Sequence, residues 1–168
     1  MGSNYGRMEM GMKCEELFRI TMENNGYDIV KSTKYQDTKE HIDFIVTIRE
    51  LFDEEPPILW TIDVKSNRYK YQIWLEHTNV AGNHGWLKGK ADFIVFHFPT
   101  EGIFRFYNTL DLFYWVEENI KETTTDSSEY CKFYTRVNER KKDKIVKVRL
   151  QDIEHLTQLE IQQYESRS

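Results

Sequence analysis

Alanine is almost missing from this chain: Ala81 and Ala91 are the only two in 168 residues. The strongest helix former is therefore scarce while Ile, Val and Thr abound, which disfavours a helical bundle against a sheet. Long apolar runs are missing too, and nothing approaches the roughly 18 consecutive apolar residues of a membrane span. The opening Met1-Gly2-Ser3-Asn4-Tyr5-Gly6 has no apolar core of a secretory leader. It also has Gly6 where a myristoylation signal wants Ser or Thr. Cysteine is limited to Cys14 and Cys131, far apart and without metal-type spacing. The expectation is a cytoplasmic protein with reduced thiols and no membrane partner. Positive charge is in deficit, with 23 Lys and Arg against 28 Asp and Glu and a net charge of −5. That speaks against coating nucleic acid by bulk charge, though not against an enzyme with a local basic surface.

What is present suits one domain. A mass of 20.3 kDa would be cramped for two cores, and 14% aromatic residues supply large buried area. Cys14, Leu17, Phe18, Thr21 and Met22 share one face at 3.6-residue spacing, predicting a helix over Arg7–Asn25 that Gly26 stops. Glu15 lies at the border of that stripe. Tyr27–Lys31 reads as a short strand, and a polar loop follows through Glu40.

The strongest strand signals come next. In His41–Ile48, residues Ile42, Phe44, Val46 and Ile48 face one way, and His41, Asp43, Ile45 and Thr47 the other. An acidic connection, Glu54-Glu55-Pro56-Pro57, leads to Ile58–Ser66, where Asp63 and Lys65 share the face opposite Ile62 and Val64. If Ile48 pairs with Ile58, Asp43 stands opposite Asp63, with facing Cβ atoms about 5 Å apart. A third strand over Tyr71–His77 is expected to return beside the second. After the glycine-rich loop 79–90, the apolar run Ala91–Phe98 predicts a buried central strand. Gly102–Asn108 reads as another strand, and Leu110–Ile120 as an amphipathic helix with Thr109 as N-cap. Lys121–Glu129 is polar and expected to be mobile. Strands over Tyr130–Val137 and Ile145–Leu150, joined by the basic turn Arg140-Lys141-Lys142, and a short final helix complete the chain. The core is expected over about 7–120, with a strand and helix extension over about 130–168.

Asp43 and Asp63 form the candidate site. Two carboxylates in a half-buried place repel each other, and a hard divalent cation such as Mg²⁺ or Mn²⁺ compensates through oxygen ligands. Lys65, on the same face, can orient a water and offset charge developing on a phosphate. Together these parts suit phosphodiester hydrolysis. No spacing of His77, His84, His97 and His155 suits zinc. His41 reads as a packing or hydrogen-bonding neighbour of Asp43.

Asp63-Val64-Lys65 is a weak tripeptide alone, but its order after an acidic helix, a glycine stop and an aspartate-bearing strand is more specific. The text Glu15-Glu16-Leu17-Phe18 to Asn25-Gly26-Tyr27, then His41-Ile42-Asp43-Phe44, then Ile62-Asp63-Val64-Lys65 resembles the PD-(D/E)XK nuclease superfamily. That superfamily includes restriction endonucleases, archaeal Holliday-junction resolvases and many phage nucleases. Trp74-Leu75-Glu76 and Gly85-Trp86-Leu87-Lys88-Gly89-Lys90-Ala91-Asp92-Phe93 are similar to a run in small phage and bacterial members. The resemblance covers roughly residues 11–98. It departs in having no proline before Asp43, in Asp63 where Glu is commoner, and in a glycine-rich loop over 78–90 where the second core helix belongs.

The resemblance implies an α/β, restriction-endonuclease-like fold with an N-terminal helix, a central mixed sheet and flanking helices. It implies a Mg²⁺- or Mn²⁺-dependent deoxyribonuclease, an endonuclease before an exonuclease. Asp43, Asp63 and the Val64 carbonyl would be metal ligands, Lys65 would position the attacking water, and Glu15 would bind a second metal or hold a water. Lys88 and Lys90 have two open readings, phosphate contacts or a solvated loop; Glu76 reaches the site or points away according to the hairpin register. DNA is the expected partner, with a homodimer or larger complex supplying basic surface. The competing reading is a non-catalytic nucleic-acid-binding or regulatory protein on the same fold.

Overall fold

The computed structural model describes residues 4–48, 56–135 and 142–165. It is a mixed α/β arrangement built on two sheets. The first helix, α1 (Asn4–Asn24), starts three residues before the expected point and stops at Gly26, whose φ of +83° favours a residue without Cβ. Its stripe of Cys14, Phe18, Thr21 and Met22 is buried as the spacing predicts.

Six strands form the main sheet: β1 (Asp28–Lys31), β2 (Phe44–Ile48), β3 (Ile58–Ser66), β5 (Phe93–Phe98), β6 (Ile103–Asn108) and β10 (Thr157–Gln162), in the order β1-β2-β3-β5-β6-β10. Only the β3–β5 pair in it is parallel. The expected register holds, with Ile48 opposite Ile58 and Phe44 opposite Ile62. β5 is interior and buried along nearly its whole length. The second sheet runs β4 (Gln72–Thr78), β9 (Lys144–Arg149), β8 (Phe133–Thr135) and β7 (Thr123–Thr124).

Two apolar clusters sit on opposite faces of the main sheet. Phe18 and Met22 of α1 pack on Phe44, Val46, Ile62, Val64, Val95, Phe104 and Phe106. On the other face, Ile94, Phe96, Phe98 and Tyr107 meet Ile73 and Leu75 of β4, Val146 and Val148 of β9, and Leu112 and Val116 of α2 (Thr109–Asn119). Asp63 and Lys65 point to this second face, level with Ile94 and Phe96 of β5.

Several expectations are corrected. β4 does not return beside β3, because β2 and β5 already occupy both edges of β3; it pairs with β9 instead. Parallel strands need a long crossover, commonly a helix. Here β4 and a single 3₁₀ turn, Trp86–Lys88, fill that crossover, with Ile73, Leu75 and Leu87 buried under it. The glycine-rich loop therefore takes the place of a second core helix. His41–Asp43 is not strand: a π-helical turn, Gln36–Glu40, ends at His41, whose φ is +56°. The N-cap of α2 is Asn108, not Thr109; its Oδ1 accepts from the N–H groups of Leu110 and Asp111 at 3.0 and 3.2 Å. The polar segment after α2 contributes β7. No helix ends the described residues: a four-residue α3 (Leu150–Ile153) leads into β10, which pairs with β6 as an edge of the main sheet. The last part of the expected extension is thus part of the core sheet. Glu54 and Glu55 of the acidic connection, and Arg140 and Lys141 of the basic turn, lie outside the described residues. No helix among the described residues is long and apolar enough to cross a membrane.

Candidate functional site

The site forms where the β2–β3 ladder ends. Beyond the Phe44–Ile62 pair, the N–H of Asp43 bonds the carbonyl of Ile62 at 2.7 Å. The Asp43 carboxylate then takes over as partner for the next strand residue: its Oδ2 accepts from the N–H of Val64 at 2.7 Å. A side chain has replaced a main-chain rung, and this draws the Asp43 carboxylate inward beside Asp63.

Both acids are buried, Asp43 at 7% exposure and Asp63 at 1%. Lys65 Nζ lies 2.5 Å from Asp63 Oδ1. No N–H or hydroxyl donor among the described residues reaches the buried Asp63 Oδ2, and the Asp43 carboxyl, when it holds its proton, is the group placed to hydrogen-bond Asp63. Two acids thus meet one ammonium in a place largely shielded from water. The electrostatics follow from that count. Burial, then the Asp63 charge, pushes the Asp43 carboxyl up to about 6, against the pull of Lys65 and the Val64 N–H. Burial also raises Asp63, with Lys65 opposing. Burial alone would lower Lys65, but the charges of Asp63 and Asp43 outweigh it and hold the ammonium protonated above its ordinary range.

The flanking residues complete the picture. Trp86 lies under the lysine, with Nζ 5.4 Å from its ring centroid. Glu76, half-buried on β4, is raised by burial and restrained by the Lys65 charge and the Trp86 N–H. Gly85 allows this approach, since a Cβ there would come within 2.3 Å of the Glu76 carbonyl oxygen. Glu76 therefore lies within electrostatic reach of the lysine without an ion pair to it. Neither its position nor that of Trp86 was legible beforehand, because both depend on β4 belonging to the second sheet. His41 is lowered by burial first and by Lys65 second, with Asp43 acting against them. Beneath the pair, burial, Glu15 and Asp43 push the Cys14 thiol up to about 12, which leaves it unreactive.

The other expected site residues lie further out. Glu15 comes from α1, on the opposite face of the sheet from Asp63, and is ion-paired with Lys31. It lines a cleft of about 470 Å³ together with Val64, Lys65 and Trp86. Its charge acts on Asp63, but its carboxylate is turned to Lys31. Lys88 lies 5.7 Å over the Phe113 ring. Lys90 is paired with Glu40 at 2.8 Å. Those two lysines share a separate polar cleft with Lys39, His41, Asn79 and Asn83. Asp92 is a structural tie: its carboxylate accepts from the N–H and hydroxyl of Thr61 at 2.8 and 2.7 Å, joining β3 to the start of β5.

A divalent cation suits the donors present. Asp63 Oδ2 is a buried oxygen without an N–H or hydroxyl donor, and the Asp43 carboxylate stands beside it. Among the described residues, no third His, Cys, Asp or Glu converges with them. Mg²⁺ is commonly held by one or two carboxylates, keeping waters and taking substrate phosphate oxygens for the rest. A two-carboxylate set is therefore sufficient for it, and a poor one for zinc.

No protein-family model matches the chain, and neither does any curated protein. Among solved structures, a bacterial homing endonuclease, I-Ssp6803I, is similar over 67% of this chain and 72% of that one, at 16% identity and a TM-score of 0.43. At that distance the site's own geometry has to carry the functional reading.

Proposed function

We propose that this protein is a Mg²⁺- or Mn²⁺-dependent deoxyribonuclease of the PD-(D/E)XK type, cutting within DNA strands. One observation carries the reading: Asp63 presents a buried oxygen with no N–H or hydroxyl donor, beside a second buried carboxylate, while its other oxygen holds Lys65. An uncompensated acid pair is costly to bury, so its retention in a core strand points to a cation as its partner. Asp43, Asp63 and the Val64 carbonyl would hold the ion, whose bound form acts as a Lewis acid on the phosphate and lowers the pKa of water. Lys65 is fixed by Asp63 and packed against Trp86, so its ammonium is oriented before substrate arrives. It would position the attacking water and offset charge growing on the phosphate oxygens. Glu15, through its charge on Asp63 and its place in the cleft, would hold a water at the rim once Lys31 is drawn away.

A second reading, a nucleic-acid-binding protein without catalysis, is favoured by the lack of a third converging acid among the described residues. Supercoiled plasmid separates the two. With Mg²⁺ or Mn²⁺ the purified protein should produce nicked and linear forms, EDTA should stop it, and Asp63→Asn should be inactive at matched circular dichroism. DNA binding without metal-dependent nicking would favour the second reading; undiminished nicking by Asp63→Asn would place the chemistry elsewhere.

A further inference from the structure

Between Asp63 and Glu76 the sequence contains no acid, although the chain carries a net charge of −5. The same run holds Lys65, Arg68 and Lys70, interleaved with Tyr69 and Tyr71. Its middle forms the turn from β3 to β4, directly after the candidate catalytic lysine. Arg68 and Tyr69 line the same cleft as Val64, Lys65 and Trp86.

The turn is built to be rigid. Asn67 is buried, and its N–H bonds the His97 carbonyl at 3.2 Å. Its side chain closes on Tyr69 twice, donating to the Tyr69 carbonyl at 2.7 Å and accepting from the Tyr69 N–H at 3.3 Å. At the far end, the N–H of Leu150 bonds the Tyr71 carbonyl at 3.0 Å. On this anchored backbone the rings stand outward, Tyr69 at 41% exposure and Tyr71 at 72%. Each ring has a cation over one face, Arg68 at 5.9 Å from Tyr69 and Lys70 at 5.2 Å from Tyr71. Neither cation has a carboxylate within ion-pair distance among the described residues. Lys90, by contrast, is committed to Glu40. Lys70 and Tyr71 open onto a neighbouring cleft that holds three acids; Arg105 takes up Glu101 and Glu160, and Glu154 makes no ion pair among the described residues.

We propose that the turn Asn67–Tyr71 holds unpaired nucleotides of a DNA strand, such as a flap, loop or frayed end, against the carboxylate pair. The inference deepens the nuclease reading and rests on it for the identity of the ligand. Exposed aromatic rings flanked by cations match a strand whose bases are free to stack and whose phosphates need neutralising. A continuous duplex offers phosphates to Arg68 and Lys70 but keeps its base faces inside the stack, leaving the two tyrosines without a partner.

The test is fluorescence anisotropy in EDTA, which prevents hydrolysis, with labelled oligo-dT, a blunt duplex and a duplex bearing an oligo-dT flap as probes. Tyr69→Ala with Tyr71→Ala should weaken oligo-dT and flap binding by about tenfold or more and leave the blunt duplex unchanged. Tyr69→Phe with Tyr71→Phe should keep wild-type affinity, because stacking needs the ring and not the hydroxyl. Arg68→Ala with Lys70→Ala should weaken all three probes and flatten the oligo-dT salt dependence by about 0.7 for each phosphate no longer neutralised. Unchanged oligo-dT binding in the double Ala variant of the tyrosines would overturn the proposal. So would an equal loss on the blunt duplex, or a loss in the Phe variant as large as in the Ala variant. Metal-dependent nicking by the wild type with tyrosine-independent binding would defeat this inference alone. Tyrosine-dependent binding without nicking would instead defeat the nuclease reading and keep the turn as a strand-holding surface.

Discussion

Lys147 and Lys65 both turn their ammonium groups toward the interior, Lys147 buried and Lys65 part-buried, and their surroundings differ in kind. Lys147 on β9 is 7% exposed. Its ammonium is taken up by neutral groups, the carbonyl of Ser127 at 2.9 Å and that of Ser128, with the rings of Tyr130 and Trp74 at 4.2 and 5.7 Å. No carboxylate lies within ion-pair distance of it among the described residues. Lys65 on β3 meets two buried carboxylates instead, and one of their oxygens has no N–H or hydroxyl donor. The first arrangement is closed: every strong interaction the cation can make is local, and it pins the turn after β7. With both carboxyls ionised, the second carries one negative charge more than Lys65 neutralises. A buried charge with neutral acceptors holds a fold together, whereas a buried excess of one sign costs stability and marks a place meant for something else.

The contrast is broken most sharply by removing each lysine. Lys65→Ala should cut plasmid nicking by a hundredfold or more, because it deletes the group proposed to orient water and offset phosphate charge. Lys147→Ala should leave nicking per folded molecule unchanged. Circular dichroism at matched concentration is the control for both. Loss of activity in both variants alike would erase the distinction.

Stability should respond in the reverse order. Lys147→Met keeps the packed stem but strands the Ser127 and Ser128 carbonyls, and urea melts should show a loss of about 1–3 kcal/mol. Asp43→Asn should do the opposite in chelator. Asp43 binds its proton more tightly folded, at about 6, than unfolded, at its ordinary 3.8. Folding therefore takes up a proton between those values, and wild-type stability contributed by this group is lost as pH rises from about 4 through 6. The Asn variant lacks that loss. It should match the wild type near pH 4 and exceed it above pH 7 by about 2–3 kcal/mol. Coincident curves across the whole range would mean the carboxylate pair carries no strain.

How far the sequence revealed this site follows from which contacts are local. The alternation in 44–48 and 58–66, joined by one connection, was enough to set the register that brings Asp43 to Asp63. The αL stop at Gly26 and the buried strand β5 were also legible, since each rests on residues adjacent in the chain. β4 was not, because its partner β9 lies about seventy residues further on and its apolar alternation fits either sheet equally well. With β4 misplaced, Glu76 and Trp86 could not be set beside Lys65. β10 was missed for the same reason: its partner β6 is some fifty residues upstream.

The smallest effect is expected at the glycine-rich loop. Lys88 is packed over Phe113 and Lys90 is engaged by Glu40, so their double Ala variant should change the salt dependence of DNA binding less than Arg68→Ala with Lys70→Ala does. A larger change at Lys88 and Lys90 would move the strand path across their cleft.

The central claim is that the excess charge beside Lys65 takes a divalent cation, and Mn²⁺ titration calorimetry above pH 7 measures it most directly. The account predicts saturable binding to the wild type, unchanged binding to Lys147→Met, and none to Asp63→Asn. Wild-type protein that binds no Mn²⁺, or an Asp63→Asn variant that binds it equally well, would contradict the account.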